Sequence, residues 1–174
     1  MAWLSPTGET LNGWGGAGLA WDEDTGTRSD YDIPRKGNWS SYLVLPISEI
    51  QCDKVQVWSG REDSNVNNME VDVYYSAGWH NIHTGSFQGD GAFYTFEIGS
   101  TQTVSSMRLR YYNSSVPSSR YAYVYEADFW EVPAGPTPGW NKLAFTSEPP
   151  TPNAWNQLKQ TGSSGWIRID YDGD

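Results

Sequence analysis

The sequence predicts an all-β protein, an antiparallel β-sandwich of the jelly-roll kind with a small appendage at its C-terminal end. Three observations carry this. Between Trp39 and Val132 the chain consists of short period-2 stretches separated by Gly, Asn, Ser and Pro, with almost no 3.6-residue periodicity. It is rich in strand-favouring rings, with 10 Trp, 11 Tyr and 5 Phe in 174 residues. And the stretch from Pro133 to Gly139, with three prolines and two glycines, cannot form regular structure and closes the main domain.

The expected strands are residues 41–46, 54–58, 70–75, 79–84, 93–98, 106–112 and 121–132. Ser76-Ala77-Gly78 joins the third and fourth as a tight hairpin, with Gly78 as the residue able to take a positive φ. Met69, Val71, Val73 and Tyr75 alternate with Glu70, Asp72 and Tyr74, so one face is buried and the other wet. Met107, Leu109 and Tyr111 alternate in the same way with Arg108, Arg110 and Tyr112. An antiparallel sheet must cover its apolar face with a second sheet, and seven or eight such strands make a sandwich.

Residues 1–132 thus form the main domain, 133–139 a linker and 140–174 a small unit. In that unit the stretches 139–145 and 165–171 share a Gly-Trp start and an aromatic end. Between them residues 152–160 are expected to form about two helical turns, with Asn153 as cap and Trp155 and Leu158 on one side. A strand-helix-strand unit of that size is too small to be stable alone, and it is expected to lean on the main domain or on another chain.

Composition excludes several functions. The net charge is -10 with only 11 Lys and Arg, scattered along the chain, which argues against a nucleic-acid partner. No apolar run is long enough for a membrane span, and the N-terminus has no signal-peptide pattern. Cys52 is the one cysteine, so neither an internal disulfide nor a cysteine metal cluster can form, and an inert packed thiol is expected. His80 and His83 lie three apart on a strand and point to opposite faces, against a shared zinc ion. No G-x-S-x-G elbow, H-E-x-x-H or P-loop occurs, and the chain is read as a binding protein, not an enzyme.

The acidic stretch from Trp21 to Thr27 offers carboxylates, hydroxyls and carbonyls from neighbouring positions, the oxygens a hard cation such as Ca²⁺ takes. Asp22 followed five residues later by Thr27, then Trp39 to Leu45, Lys54 to Trp58, Met69 to Tyr75 with Gly78-Trp79, Met107 to Tyr111 and Tyr121 to Phe129 together resemble the discoidin or coagulation-factor type C family, a galactose-binding-like jelly roll. The resemblance covers about residues 15–132. In that family an Asp-Gly-Asn-x-x-Thr stretch builds a structural Ca²⁺ site with a Glu from the last strand. The resemblance therefore implies Asp22, Asp24, Thr27 and Glu126 as ligands, Asp24 through its carbonyl. Glu23 departs from the pattern, standing where Gly is usual, as does Ser29-Asp30-Tyr31, which replaces the aromatic that commonly follows the Thr.

The family binds glycans, or sometimes lipid head groups, through loops at one end of the sandwich. The resemblance places these loops at residues 28–38, 59–68 and 113–120. It implies Tyr31 for stacking on a pyranose and Arg35, Arg61, Asp63, Asn65, Asn67 and Arg120 for its hydroxyls. Trp39, Trp58, Trp79 and Trp130 fall at strand positions and read as core or sheet packing. Residues 139–171 resemble accessory modules of bacteriophage tail, fibre or capsid-surface proteins, which implies a virion surface as the place of action and virion proteins or a second copy as docking partners. Two functions follow: a module contacting host-surface glycans, or a structural virion piece with no glycan ligand.

Overall fold

The alternating stretches pair into one antiparallel network whose bends turn it into two facing layers. The computed structural model describes residues 2–35, 37–87, 89–115, 117–133, 156–159 and 166–169. In chain order the strands are β1 (Ala2–Leu4), β2 (Ser29–Ile33), β3 (Asn38–Trp39), β4 (Leu43–Arg61), β5 (Val66–Tyr75), β6 (Gly78–Ser86), β7 (Asp90–Asn113) and β8 (Arg120–Glu131), then β9 (Asn156–Lys159) and β10 (Trp166–Ile169). The expected strands 41–46 and 54–58 are two halves of β4, and 93–98 and 106–112 two halves of β7.

Sheet order is β1-β8-β4-β7-β5-β6, with β2 also on β8 and β3 on β7. β4 and β7 run antiparallel from Leu43↔Leu109 to Gly60↔Asp90, interrupted by register shifts between Pro46 and Ile50 and between Cys52 and Lys54. Extra residues bend a ribbon and increase its twist. The first half of β4 thus pairs with the half of β7 that also pairs with β5, and its second half lies between the other half of β7 and β8. The two halves face each other across the core, where the Ser59 hydroxyl meets that of Tyr111.

Leu43, Leu45, Met69, Val71, Val73, Met107 and Leu109 come inward from one layer, and Val55, Val57, Val124, Ala127 and Phe129 from the other. Of the tryptophans in residues 2–133, Trp14 is buried, while Trp39, Trp58, Trp79 and Trp130 pack half-exposed on outer faces. One outer face carries an alternating column. The Arg108 guanidinium lies between Tyr42 and Trp79, 4.0 and 4.5 Å from the ring centroids, and that of Arg110 between Trp39 and Tyr42, at 4.7 and 4.5 Å. Asp72 and Glu70 hold the two arginines at 2.7 and 2.8 Å.

Two expectations are corrected. The hairpin after β5 takes its positive φ at Ser76 (49°) and Ala77 (61°), not at Gly78, because a two-residue loop of this hand needs both central residues left-handed. Residues 156–159, expected in a helix, form β9, paired with β10 from Trp166↔Lys159 to Ile169↔Asn156. Two helical turns hold too few hydrogen bonds to offset nucleation, whereas pairing with a neighbouring strand satisfies the same backbone groups. The rest of the expected unit, including Asn153 and Trp155, lies outside the described residues. By compactness the chain divides into Met1–Gly135 and Pro136–Asp174.

Candidate functional site

The acidic loop is wound around its own oxygens. Asp22 accepts the Asp24 N–H at 3.0 Å through Oδ1 and the Thr27 hydroxyl at 2.7 Å through Oδ2. That hydroxyl is also 2.9 Å from the Asp24 carbonyl, while the Asp24 carboxylate accepts the Gly26 N–H at 2.8 Å. The carbonyl of Asp24, not its side chain, therefore joins Asp22 and Thr27. Glu23 has φ 61°, the left-handed conformation that favours Gly.

Glu126 reaches this region through a bulge. Trp58 pairs with Glu126 and the next residue, Ser59, with Val124, which leaves Tyr125 as an extra residue in β8. The insertion reverses the alternation, so Ala127 and Phe129 enter the core and Glu126 and Asp128 turn outward beneath the N-terminal segment. Glu126 is 3% exposed, and its Oε1 accepts the Ala127 N–H at 3.3 Å while Oε2 has no partner. Burial, with Asp128 and Asp22 adding to it, pushes this carboxyl up to about 7, against the pull of the Ala127 and Glu23 N–H groups. Among the described residues no three His, Cys, Asp or Glu side chains are arranged to hold a metal. The set that fits Ca²⁺ is a mixed one: two carboxylates, a carbonyl and a hydroxyl, one carboxylate keeping an orphaned oxygen.

At the loop end, Asp63 pairs with Arg120, and Arg120 also donates to the Ser118 hydroxyl and the Ser119 carbonyl. Burial pushes the Asp63 carboxyl up, but the Asn65 N–H and Arg120 outweigh it and hold it below its ordinary value. The Asn65 carbonyl accepts the Ser114 N–H at 2.9 Å, the Asn67 amide donates to the Ser114 hydroxyl at 3.4 Å, and Asn67 Oδ1 is buried without a partner. Asp63, Asn65, Asn67 and Arg120 thus converge on one polar cluster. Arg61 does another job, donating to the Val66 and Phe87 carbonyls at 3.1 and 3.2 Å beneath the loops. Arg35 is exposed. Tyr31 alternates inward from β2, lies 5.4 Å from the Trp14 ring and bonds the Ser41 hydroxyl, so its ring braces the core edge.

The exposed ring next to this cluster along the chain is Tyr121. It is 39% exposed, follows Arg120 directly, and is fixed by reciprocal 3.0 Å bonds between its backbone and Glu62. Its strand continues through Tyr123 and Tyr125 on the same face. Elsewhere, His80 stacks on Tyr75 at 3.8 Å while His83 tilts against Phe96. Cys52 is buried, its thiol pushed up by burial to about 11.

No family model and no curated protein matches the sequence. Solved structures share the fold. CBM32-1 from a family 31 glycoside hydrolase of Clostridium perfringens is 10% identical and superposes with TM-score 0.55 over 73% of this chain and 96% of its own. The C-terminal domain of a chitobiase from Bacteroides fragilis is 14% identical, with TM-score 0.54 over 75% and 98%. The CBM32 of AlyQ, in complex with 4,5-unsaturated mannuronic acid, is 11% identical, with TM-score 0.51 over 76% and 100%. The architecture is the galactose-binding-like, discoidin-type jelly roll expected from the sequence.

Proposed function

We propose that this protein is a non-catalytic carbohydrate-binding module that takes a sugar at the loop end, with Tyr121 as the stacking ring and the Asp63–Arg120 pair as the polar contact. The observation that carries this reading is a loop-end corner in which the 39% exposed Tyr121 directly follows Arg120 of the half-exposed ion pair and its backbone is bonded to Glu62, the neighbour of Asp63. A pyranose offers one apolar face and a rim of hydroxyls, and this corner supplies an exposed ring together with an acceptor and a donor on adjoining residues. The geometry is held by the protein before any ligand arrives, which lowers the ordering cost of binding. Two of the neighbouring structures are carbohydrate-binding modules, one of them holding an unsaturated mannuronic acid, which supports the ligand class. Asp22, the Asp24 carbonyl, Thr27 and Glu126 would hold a structural Ca²⁺, which supplies positive charge to a buried carboxyl and pins the N-terminal loop to β8.

A glycan array tests the module. Binding of at least one sugar, lost in Tyr121→Ala and in Arg120→Ala while the melting temperature holds, is the expected result. An array silent at millimolar protein and sugar overturns it. We further propose that residues 140–174 dock the module onto a virion component or a second copy, a reading supported by the likeness of residues 139–171 to bacteriophage accessory modules.

A further inference from the structure

We propose that the sugar site is extended, running from Tyr121 along the outer face of β8, and that its ligand is a polymer of amino sugars bearing free ammonium groups. This rests on the carbohydrate-binding reading above and names the class of sugar.

The extension follows from strand geometry. Tyr121, Tyr123 and Tyr125 alternate with buried Ala122 and Val124, so the three rings share one face. Ring centroids are 6.4 Å apart at each step, with Tyr121 and Tyr123 within 9° of parallel. On the neighbouring strand Gly60 pairs with Tyr123, and a Cβ there would meet Tyr125 Cε2 at 2.7 Å and Tyr123 Cδ2 at 3.4 Å. Tyr123 and Tyr125 thus lie over bare backbone, with the Tyr125 ring tilted 60° from that of Tyr123. Beyond Gly60 the aromatic surface continues through Trp58 and Phe93, in edge contact at 5.0 Å, with Phe93 39% exposed. Such a row matches a chain of linked sugars rather than a single ring.

Charge selects among polymers. On the β2 side Asp32 pairs with Tyr121 and Asp30 with Tyr123; on the β4 side Glu62 is bonded to the Tyr121 backbone. Against these three carboxylates stands Arg28, whose guanidinium is 3.8 Å above the Tyr123 ring. That contact shows what the face prefers: a cation seated on a tyrosine between carboxylates. With the chain at -10 overall, a polyuronate is repelled and a neutral chain leaves the excess of carboxylates over Arg28 unbalanced. An ammonium group on successive sugars satisfies both the rings and the charges. Three partly exposed pairs, each worth a factor of about two to five, give roughly a tenfold or greater preference.

Titration calorimetry on the full chain decides it, using a hexamer of β-1,4-linked glucosamine, the same hexamer fully N-acetylated, an oligomannuronate and glucosamine itself. The glucosamine hexamer is expected to bind about tenfold or more tightly than its acetylated form at low salt, with the margin shrinking as salt rises. Oligomannuronate binds weakest. Asp32→Asn, at an exposed position, narrows the margin several-fold without a change in melting temperature, and Tyr125→Ala weakens the hexamer but not the monomer. Equal affinity for the two hexamers, or an undiminished margin in Asp32→Asn, overturns the charge selection. Equal affinity for hexamer and monomer overturns the extension, and oligolysine binding as tightly as the glucosamine hexamer reassigns the face to basic peptides. Failure to bind any sugar, on the array as well, removes the carbohydrate reading itself and is thereby distinguished from these outcomes.

Discussion

Replacing Arg108 by Ala tests whether the alternating column of rings and guanidinium groups braces the sandwich. In the wild-type, Arg108 Nε is 2.7 Å from Asp72 Oδ2, and the Asp72 side chain is 4% exposed. Truncation leaves that carboxylate with the Asn81 amide at 2.8 Å as its remaining side-chain donor. Breaking a fully buried pair costs about 3–5 kcal/mol, but Arg108 is 26% exposed, so the charge-assisted hydrogen bond is better taken at the lower figure of about 2 kcal/mol. The two ring contacts, at 4.0 and 4.5 Å, add about 0.5 kcal/mol each, which brings the total to about 3 kcal/mol. Arg108→Lys keeps the charge but not the plane that fills the gap between Tyr42 and Trp79, and it should lose about half as much. Urea unfolding followed by tryptophan fluorescence reads both variants as a lower midpoint at unchanged slope. A loss below about 1 kcal/mol in Arg108→Ala, or a lysine variant no better than the alanine one, refutes the reasoning.

Two further outcomes follow from the site and the C-terminal unit. At pH 8, above the value near 7 to which burial pushes Glu126, Ca²⁺ added to chelated protein should raise the melting temperature, and Glu126→Gln should abolish that gain. A calorimetric trace without heat and a melting temperature that does not move sink the ion site. Deletion of residues 133–174 should leave a folded module that no longer assembles as the full chain does, read by light scattering, and unchanged assembly removes the docking role.

The strand pattern was legible wherever one face is apolar and the other charged, as in Met69 to Tyr75 and Met107 to Tyr112, because alternation there reports burial directly. The continuity of β4 and β7 was not. Ser48 and Glu49 between Pro46 and Ile50 read as a loop, yet they fall where the pairing slips, and a polar residue in a bulge has the composition of a turn residue. β2 was missed because Ser29-Asp30-Tyr31-Asp32-Ile33 buries only its first and last residues. The period of residues 156–159 is not legible, because Leu158 and its neighbours fit either repeat over so short a stretch, and the pairing that decides between them comes from β10.

The proposed stacking ring shows why a residue type can be legible in a sequence while its exposure is not. Tyr31 and Tyr121 sit opposite each other's neighbours on paired strands, Tyr31 facing Ala122 and Asp32 facing Tyr121. Parity alone sends one ring toward Trp14 and the other into solvent. The sequence of β8 held the signal for the second: Ala122 and Val124, small and apolar, alternate with three tyrosines, and a strand in a closely packed sandwich buries the smaller set. Trp39 and Tyr112 obey the same logic on the other layer, where arginines fill the spaces between the rings. Around Tyr121 and Tyr123 the spaces hold three carboxylates and a bare glycine against one cation, Arg28 over Tyr123. Both outer faces are thus rich in rings, but one is saturated by its own cations, and the other keeps a surplus of negative charge that a ligand must answer.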